Sequence, residues 1–196
     1  MREEWVVLVD EEDREVGRAR KAEVHHRETP LHRAFSAFLF DPAGRLLLQQ
    51  RAGGKATWPL VWSNSCCGHP APAESTLAAA RRRIVEELGA PPADLWVALP
   101  DYRYRAELDG IVENEICPVV VGRIDPEALA PDPGEVGDIR WVDWDAFRAE
   151  IARGDDPYSP WCREEATLLQ RLDAFRAWLR ADAESATRRD SDPLPA

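Results

Sequence analysis

The chain has 196 residues, enough for one well-buried domain and short for two. Its net charge of −11 argues against nucleic-acid binding through a general positive field. No apolar run approaches the roughly 18–20 residues of a membrane span, and Met1-Arg-Glu-Glu-Trp5 carries no apolar signal core, so a cytoplasmic protein without membrane contact is expected.

In chain order, Trp5 to Asp10 reads as a first strand, followed by a charged turn ending near Gly17. Ala34 to Phe40 and Arg45 to Arg51 are apolar runs around Asp41-Pro-Ala-Gly44, a hairpin signal. Residues 52 to 74 hold Gly, Pro, Trp and Ser without periodicity and read as a functional loop region. Ser75 to Leu88 predicts a helix, capped by Ser75 and ended by Gly89 before Pro91-Pro92. Strands are expected near 95–105, 111–122 and 139–142, and a helix from Trp144 to Ala152. Leu168, Leu172, Phe175 and Leu179 make Glu164 to Arg180 one amphipathic helix. From about 182 to 196 the chain is polar without an apolar stripe, which predicts a disordered tail. No interdomain linker is evident, so a single domain over 4–180 is expected. Strands and helices mixed without a βαβ rhythm predict an α+β sandwich.

The four cysteines (66, 67, 117 and 162) show no CxxC spacing, which favours reduced thiols over disulfides or structural zinc. Cys117 and Cys162 have no charged motif beside them and read as buried structural thiols. Of 25 basic residues only Lys21 and Lys55 are lysines, and a compact ammonium binds phosphate oxygens as a point charge.

Gly68, Glu74, Arg82, Glu86, Glu87 and Gly89 fall at the spacing of the Nudix box, with Arg83 where that pattern has a glutamate. Carboxylates clustered on one helix suit a hard cation such as Mg2+, which in turn carries a diphosphate. The plainer alternative is a solvated helix with Arg82–Glu86 and Arg83–Glu87 pairs, each worth about 0.2–0.5 kcal/mol. Histidine is scarce: His25, His26, His32 and His69 are all there are. Glu113 and Glu115 sit two apart in a predicted strand and so point to one face, where two carboxylates repel unless a cation or proton is shared. Three imidazoles with two carboxylates would make a site for Mn2+, Zn2+ or Mg2+.

With these motifs on the page, the chain resembles the type I isopentenyl-diphosphate isomerases, a branch of the Nudix fold, over about residues 4 to 172. The resemblance rests on Lys21, His25, Leu31-His32, Arg51 with Lys55, Trp58-Pro59, Val61-Trp62 and Asn64-Ser65. It continues in Cys67-Gly68-His69, Tyr102-Arg-Tyr-Arg105, Gly110 to Glu115 and Ser159-Pro-Trp161. It implies a Nudix-type α/β/α sandwich with a mixed central sheet, an added N-terminal strand and an added C-terminal helix. It further implies movement of a double bond in isopentenyl diphosphate, with Cys67 and Glu115 on opposite faces of the substrate. Tyr104 would assist the carboxyl and Trp161 would face the cationic carbon. Lys21, Arg51, Lys55 and Arg83 would hold the diphosphate, with a Mg2+ to which Glu87 contributes. His25, His32, His69, Glu113 and Glu115 would hold a second metal. Spacing favours His25 over His26 and Cys67 over Cys66. The implied partner is a small diphosphate substrate, and the expected assembly a monomer or weak homodimer. The competing reading is a Nudix pyrophosphohydrolase acting on a nucleoside diphosphate derivative; a ligand sensor of the same fold could lose Glu86 and Glu87 without penalty.

Overall fold

A computed structural model describes residues 4–190 apart from Asp155, and side chains as far as Ala181. The 12 strands form two sheets. The smaller sheet has the order β2-β1-β3-β10-β9, from β1 (Trp5–Val9), β2 (Glu15–Arg20), β3 (His32–Arg33), β9 (Arg103–Leu108) and β10 (Ile111–Ile116). The larger has the order β12-β5-β4-β11-β8, from β4 (Phe35–Phe40), β5 (Leu46–Arg51), β8 (Ala93–Leu99), β11 (Val119–Arg123) and β12 (Val136–Val142). Two short strands join it: β6 (Trp62–Ser63) beside β5 and β7 (Cys66–Gly68) beside β4. Both sheets are mixed, with parallel pairs β3–β10 and β4–β11. The larger one is the mixed central sheet expected from the sequence.

Strand β4 shows why the larger sheet lies at the centre. All six of its residues are buried, as in a strand covered on both faces. Phe35, Ala37 and Leu39 pack with Ala79, Ala80, Ile84 and Leu88 of helix α2 (Thr76–Leu88). Phe38 and Phe40 point the other way, toward α3 (Trp144–Arg153), α4 (Pro160–Arg171) and α5 (Asp173–Asp190). The result is the expected α/β/α sandwich. A one-turn helix, α1 (Lys21–Val24), leads from β2 to the histidines.

The predicted caps hold α2. Ser75 Oγ accepts from Ala78 N–H at 3.3 Å, and Gly89, with φ of 74°, donates its N–H to Val85 O. A side chain at Gly89 would also strike Ala130 O, 2.5 Å from its ideal Cβ, so conformation and space both require glycine there. Gly68 is required by contact alone: a Cβ would lie 3.0 Å from Arg83 Cγ and 3.1 Å from the Phe35 ring.

Several expectations change in detail. The charged turn is shorter than expected, closed by Asp10 N–H to Arg14 O, and β2 starts at Glu15 in pairing with β1. Cys117-Pro118 and Pro100-Asp101 each divide an expected strand in two, and residues 52–74 contain β6 and β7. The single helix over 164–180 is two, broken at Leu172, which is extended. The break turns Phe175 and Trp178 onto Phe40, at ring separations of 5.8 and 5.7 Å. The expected tail from 182 falls partly on α5, whose backbone continues to Asp190 through good helix formers, and partly on 191–196, outside the described residues. No helix among the described residues is long and apolar enough to cross a membrane.

Candidate active site

One row of paired residues builds the first wall. Glu115 of β10 lies directly opposite Tyr104 of β9 and, on its other side, opposite His32 of β3. Residues in direct register share a face, so all three side chains project together. Glu113, two residues earlier, follows on the same face. On the second wall Cys67 of β7 pairs with Ser36 of β4. The acidic and thiol groups thus stand on different sheets, and His69, two residues after Cys67, reaches back to the first.

The three expected imidazoles converge. Ring centroids of His25, His32 and His69 lie 5.1–5.4 Å apart. Their ligand atoms and a Glu115 oxygen all lie within 4.8 Å of one another. Glu115 Oε1 is 3.1 Å from His69 Nε2 and 3.4 Å from His32 Nε2. Glu113 joins through His25, with Oε2 and Nε2 3.0 Å apart. Those two atoms are close but not aligned as a hydrogen bond, and both are buried without a partner. His32 Nδ1 is 2.9 Å from Pro30 O, so it carries the proton and turns the Nε2 lone pair inward. Burial holds the His69 pKa down to about 4, which keeps that ring neutral. Burial works against ionisation of Glu115, but the adjoining His32 and His69 rings hold it well below the usual carboxylate range. Three converging imidazoles, an ionised carboxylate and orphaned buried atoms fit a divalent cation. His26 is excluded from the group, since its Nδ1 accepts from Glu28 N–H in a turn.

Asn64 is the hub of the second wall. Its amide donates to Ala37 O and Cys66 O, which fixes Oδ1 toward the site. That oxygen accepts from Ser63 Oγ at 2.8 Å, Trp161 Nε1 at 3.2 Å and Cys67 Sγ at 3.3 Å. Burial pushes the Cys67 pKa up to about 12, so it is a thiol with a proton to give. Trp161 is buried between Trp58 (5.1 Å, edge-on) and Tyr104 (5.3 Å). Burial, and then Glu115, push the Tyr104 hydroxyl well above its ordinary pKa, so it too keeps its proton. Cys66 faces away, beside Glu87 and Arg83. Cys117 and Cys162 are buried, and all four cysteines are free thiols.

The four expected diphosphate residues also come together. Burial lowers the Lys55 pKa to about 8, and the charges of Arg51, Lys21 and Arg83 press in the same direction. Each is already held by its own chain. Lys21 Nζ is 2.5 Å from Glu4, Lys55 pairs with Glu135, and Arg51 donates to Thr57 O and Oγ1. Arg83 pairs with Glu87 and lies 3.0 Å from Glu86 and 3.4 Å from Glu135. Both i,i+4 pairs of the plain-helix alternative therefore form, but Arg83 and Glu87 are buried rather than solvated. Glu74 closes the loop before α2, bonding Arg82 and Ala71 N–H. A cavity of about 420 Å³ opens here, bordered by Glu4, Lys21, His69, Glu74, Arg82 and Arg83. Cys67 and Glu115 lie outside its lining. Sequence reasoning gave no role to Ser36, Glu4, Glu135 or Glu165. Ser36 and Glu165 carried a signal, as a lone hydroxyl in an apolar strand and a carboxyl on an apolar helix stripe.

Sandwich and acidic helix are those of a Nudix-domain protein, and the NUDIX domain model matches residues 30–162. Among curated relatives, the isopentenyl-diphosphate Delta-isomerase of Saccharopolyspora erythraea is 49% identical over 181 residues, covering 91% of this chain and 93% of the relative. That of Mycolicibacterium vanbaalenii is 52% identical over 167 residues, covering 85% and 91%. The chain therefore belongs to the isopentenyl-diphosphate Delta-isomerase family. Solved structures share the fold at low identity. DR0079 from Deinococcus radiodurans has a TM-score of 0.64 at 21% identity, over 87% of this chain and 99% of that one. The MutT protein from Methanosarcina mazei Go1 has 0.57 at 21%, over 74% and 96%.

Proposed function

We propose that the protein interconverts isopentenyl and dimethylallyl diphosphate by adding a proton at C4 and removing one from C2. The observation that carries this reading is the placement of Cys67 and Glu115 on different sheets, with His69 beside Glu115 and lining the cavity that Lys21 and Arg83 also border. An unactivated alkene is a very weak base, so the proton must come from a strong acid in a site closed to water. One wall gives the proton and the other takes one, and the two exchange roles when the reaction reverses. Tyr104, protonated and in register with Glu115, supports the carboxyl. Trp161, oriented by Asn64, presents its ring to the cationic carbon, an attraction of about 1–2 kcal/mol when desolvated.

His25, His32, His69, Glu113 and Glu115 would hold Mn2+, Zn2+ or Mg2+, whose charge polarises the Glu115 carboxyl when bound. Lys21, Arg51, Lys55 and Arg83 would bind the diphosphate, and Glu87 would share it through Mg2+. For that, Arg83 must release Glu87 and turn to the substrate. Hydrolysis is the weaker reading, because Arg83 replaces a box carboxylate and a hydrolase has no use for Cys67, Glu115 and Trp161. Supplying purified, metal-loaded protein with isopentenyl diphosphate and Mg2+ should yield the acid-labile allylic isomer. Release of inorganic phosphate or pyrophosphate in its place would refute the proposal.

A further inference from the structure

Glu165 is a buried acid that neither the metal cluster nor the diphosphate contacts use. It lies on α4 one turn after Trp161 and is 0% exposed. Neither of its carboxyl oxygens has a hydrogen-bond partner, whereas adjacent Glu164 accepts from Tyr102 Oη at 3.0 Å. The buried face of α4, with Trp161, Cys162, Glu165, Ala166 and Leu169, packs toward the side of the larger sheet that carries Phe38 and Phe40. By strand alternation Ser36 is on that side too. Ser36 Oγ has only sulfur neighbours among its hydrogen-bond contacts, Cys67 Sγ at 3.6 Å and Cys117 Sγ at 3.5 Å.

The groups whose charge or hydrogen bonding couples to Glu165 are Ser36, Cys67, Cys117, Cys162, Tyr102, Glu164 and Glu115. None of them is a lysine or an arginine. Burial pushes its pKa well above the carboxylate range and outweighs the nearby Ser36 hydroxyl, which favours the ionised form; the negative charges of Glu115 and Glu164 add to the rise. An ionised carboxylate in such a place would be without compensation.

We propose that Glu165 works as a neutral carboxylic acid, a positioning residue whose O–H orients the Ser36 hydroxyl and, through it, the Cys67 thiol. Donors then run one way: Glu165 O–H toward Ser36 Oγ, Ser36 O–H toward Cys67 Sγ, and Cys67 S–H to Asn64 Oδ1. The proton on Glu165 supplies Ser36 with a stronger donor than the Cys117 thiol, 3.5 Å away. Charge at position 165 has no part in this; a hydrogen-bond donor of that length does.

The kinetic arms of the test rest on the isomerase reading, and the spectroscopic arm does not. In metal-loaded protein, Glu165→Leu keeps the volume and removes the donor; kcat should fall about tenfold or more, with KM within about twofold. Glu165→Gln donates N–H from the same reach without ionising, and should restore kcat to within about threefold of wild type. The infrared difference between wild type and E165Q should contain the C=O band of a protonated carboxylic acid at neutral pH. Absence of that band, wild-type kcat in E165L, or an E165Q as impaired as E165L would each overturn the proposal. Should E165L fail to fold, the band and the E165Q rate decide. A protein with the band but no isomerase activity would refute the function and leave the protonation state standing.

Discussion

At the histidine end of the site, His25, His32, His69 and Glu115 converge with buried donor atoms left unpaired. At the diphosphate end, three of the four cations already hold a carboxylate of the same chain. At the first end His32 and Glu115 stand on strands in fixed register, with His25 and His69 on the segments that follow α1 and β7, so the four ligands converge before any ion arrives. The second is built from loops and from one face of α2, and must exchange internal partners for phosphate oxygens. On the proposed reading, preorganisation is concentrated where charge would develop on carbon, and adaptability where a trianion would enter and leave.

The largest effects should come from the two walls. Glu115→Gln and Cys67→Ala should each lower kcat by about 10³-fold or more, with melting temperature and circular dichroism unchanged. Near-normal turnover in either would remove that wall from the mechanism.

Metal removal should come next. Stripping the divalent cation should abolish activity and lower the melting temperature by about 5–10 °C, since a tight ligand of the native state adds several kcal/mol of stability. Calorimetry before and after chelation and reloading checks this. An unchanged melting temperature would mean that the histidine cluster holds no metal.

The adaptable end should answer in KM. Lys55→Ala should raise KM by about tenfold while changing kcat less. Since Lys55 binds phosphate as the charged form and its pKa is lowered to about 8, kcat/KM should be level below that pH and fall above it. Lys55→Arg should abolish the alkaline limb. The smallest effect belongs to Glu4. If it competes with the diphosphate for Lys21, Glu4→Gln should lower KM by about two- to threefold, the scale of a partly exposed ion pair.

How much of this the sequence carried depends on whether a feature is local. Ser75 and Gly89 specify the ends of α2 by their own chemistry, and the Asp41-Pro-Ala-Gly44 turn closes as read, with Gly44 at φ of 81°. The period of two put Glu113 and Glu115 on one face. Resemblance to a known family, rather than periodicity, supplied the grouping of His25, His32 and His69, because loops bring them together. The break at Leu172 was illegible, since the apolar spacing runs on through it and only packing of Phe175 and Trp178 on Phe40 requires a turn. The internal partners Glu4 and Glu135 sit far along the chain from Lys21 and Lys55, and no spacing rule reaches that distance. Glu165 did leave a trace: it follows Trp161 by four residues and precedes Leu169 by four, which places a carboxyl on the apolar stripe of α4.

The central claim is that the chemistry happens at carbon while the acidic helix only helps to hold the diphosphate. Running the reaction in deuterated water and following deuterium and phosphorus resonances in one sample tests it most directly. The account predicts deuterium entering the allylic product with the diphosphate intact. No deuterium uptake from folded, metal-loaded protein, or loss of the diphosphate signal, would contradict it.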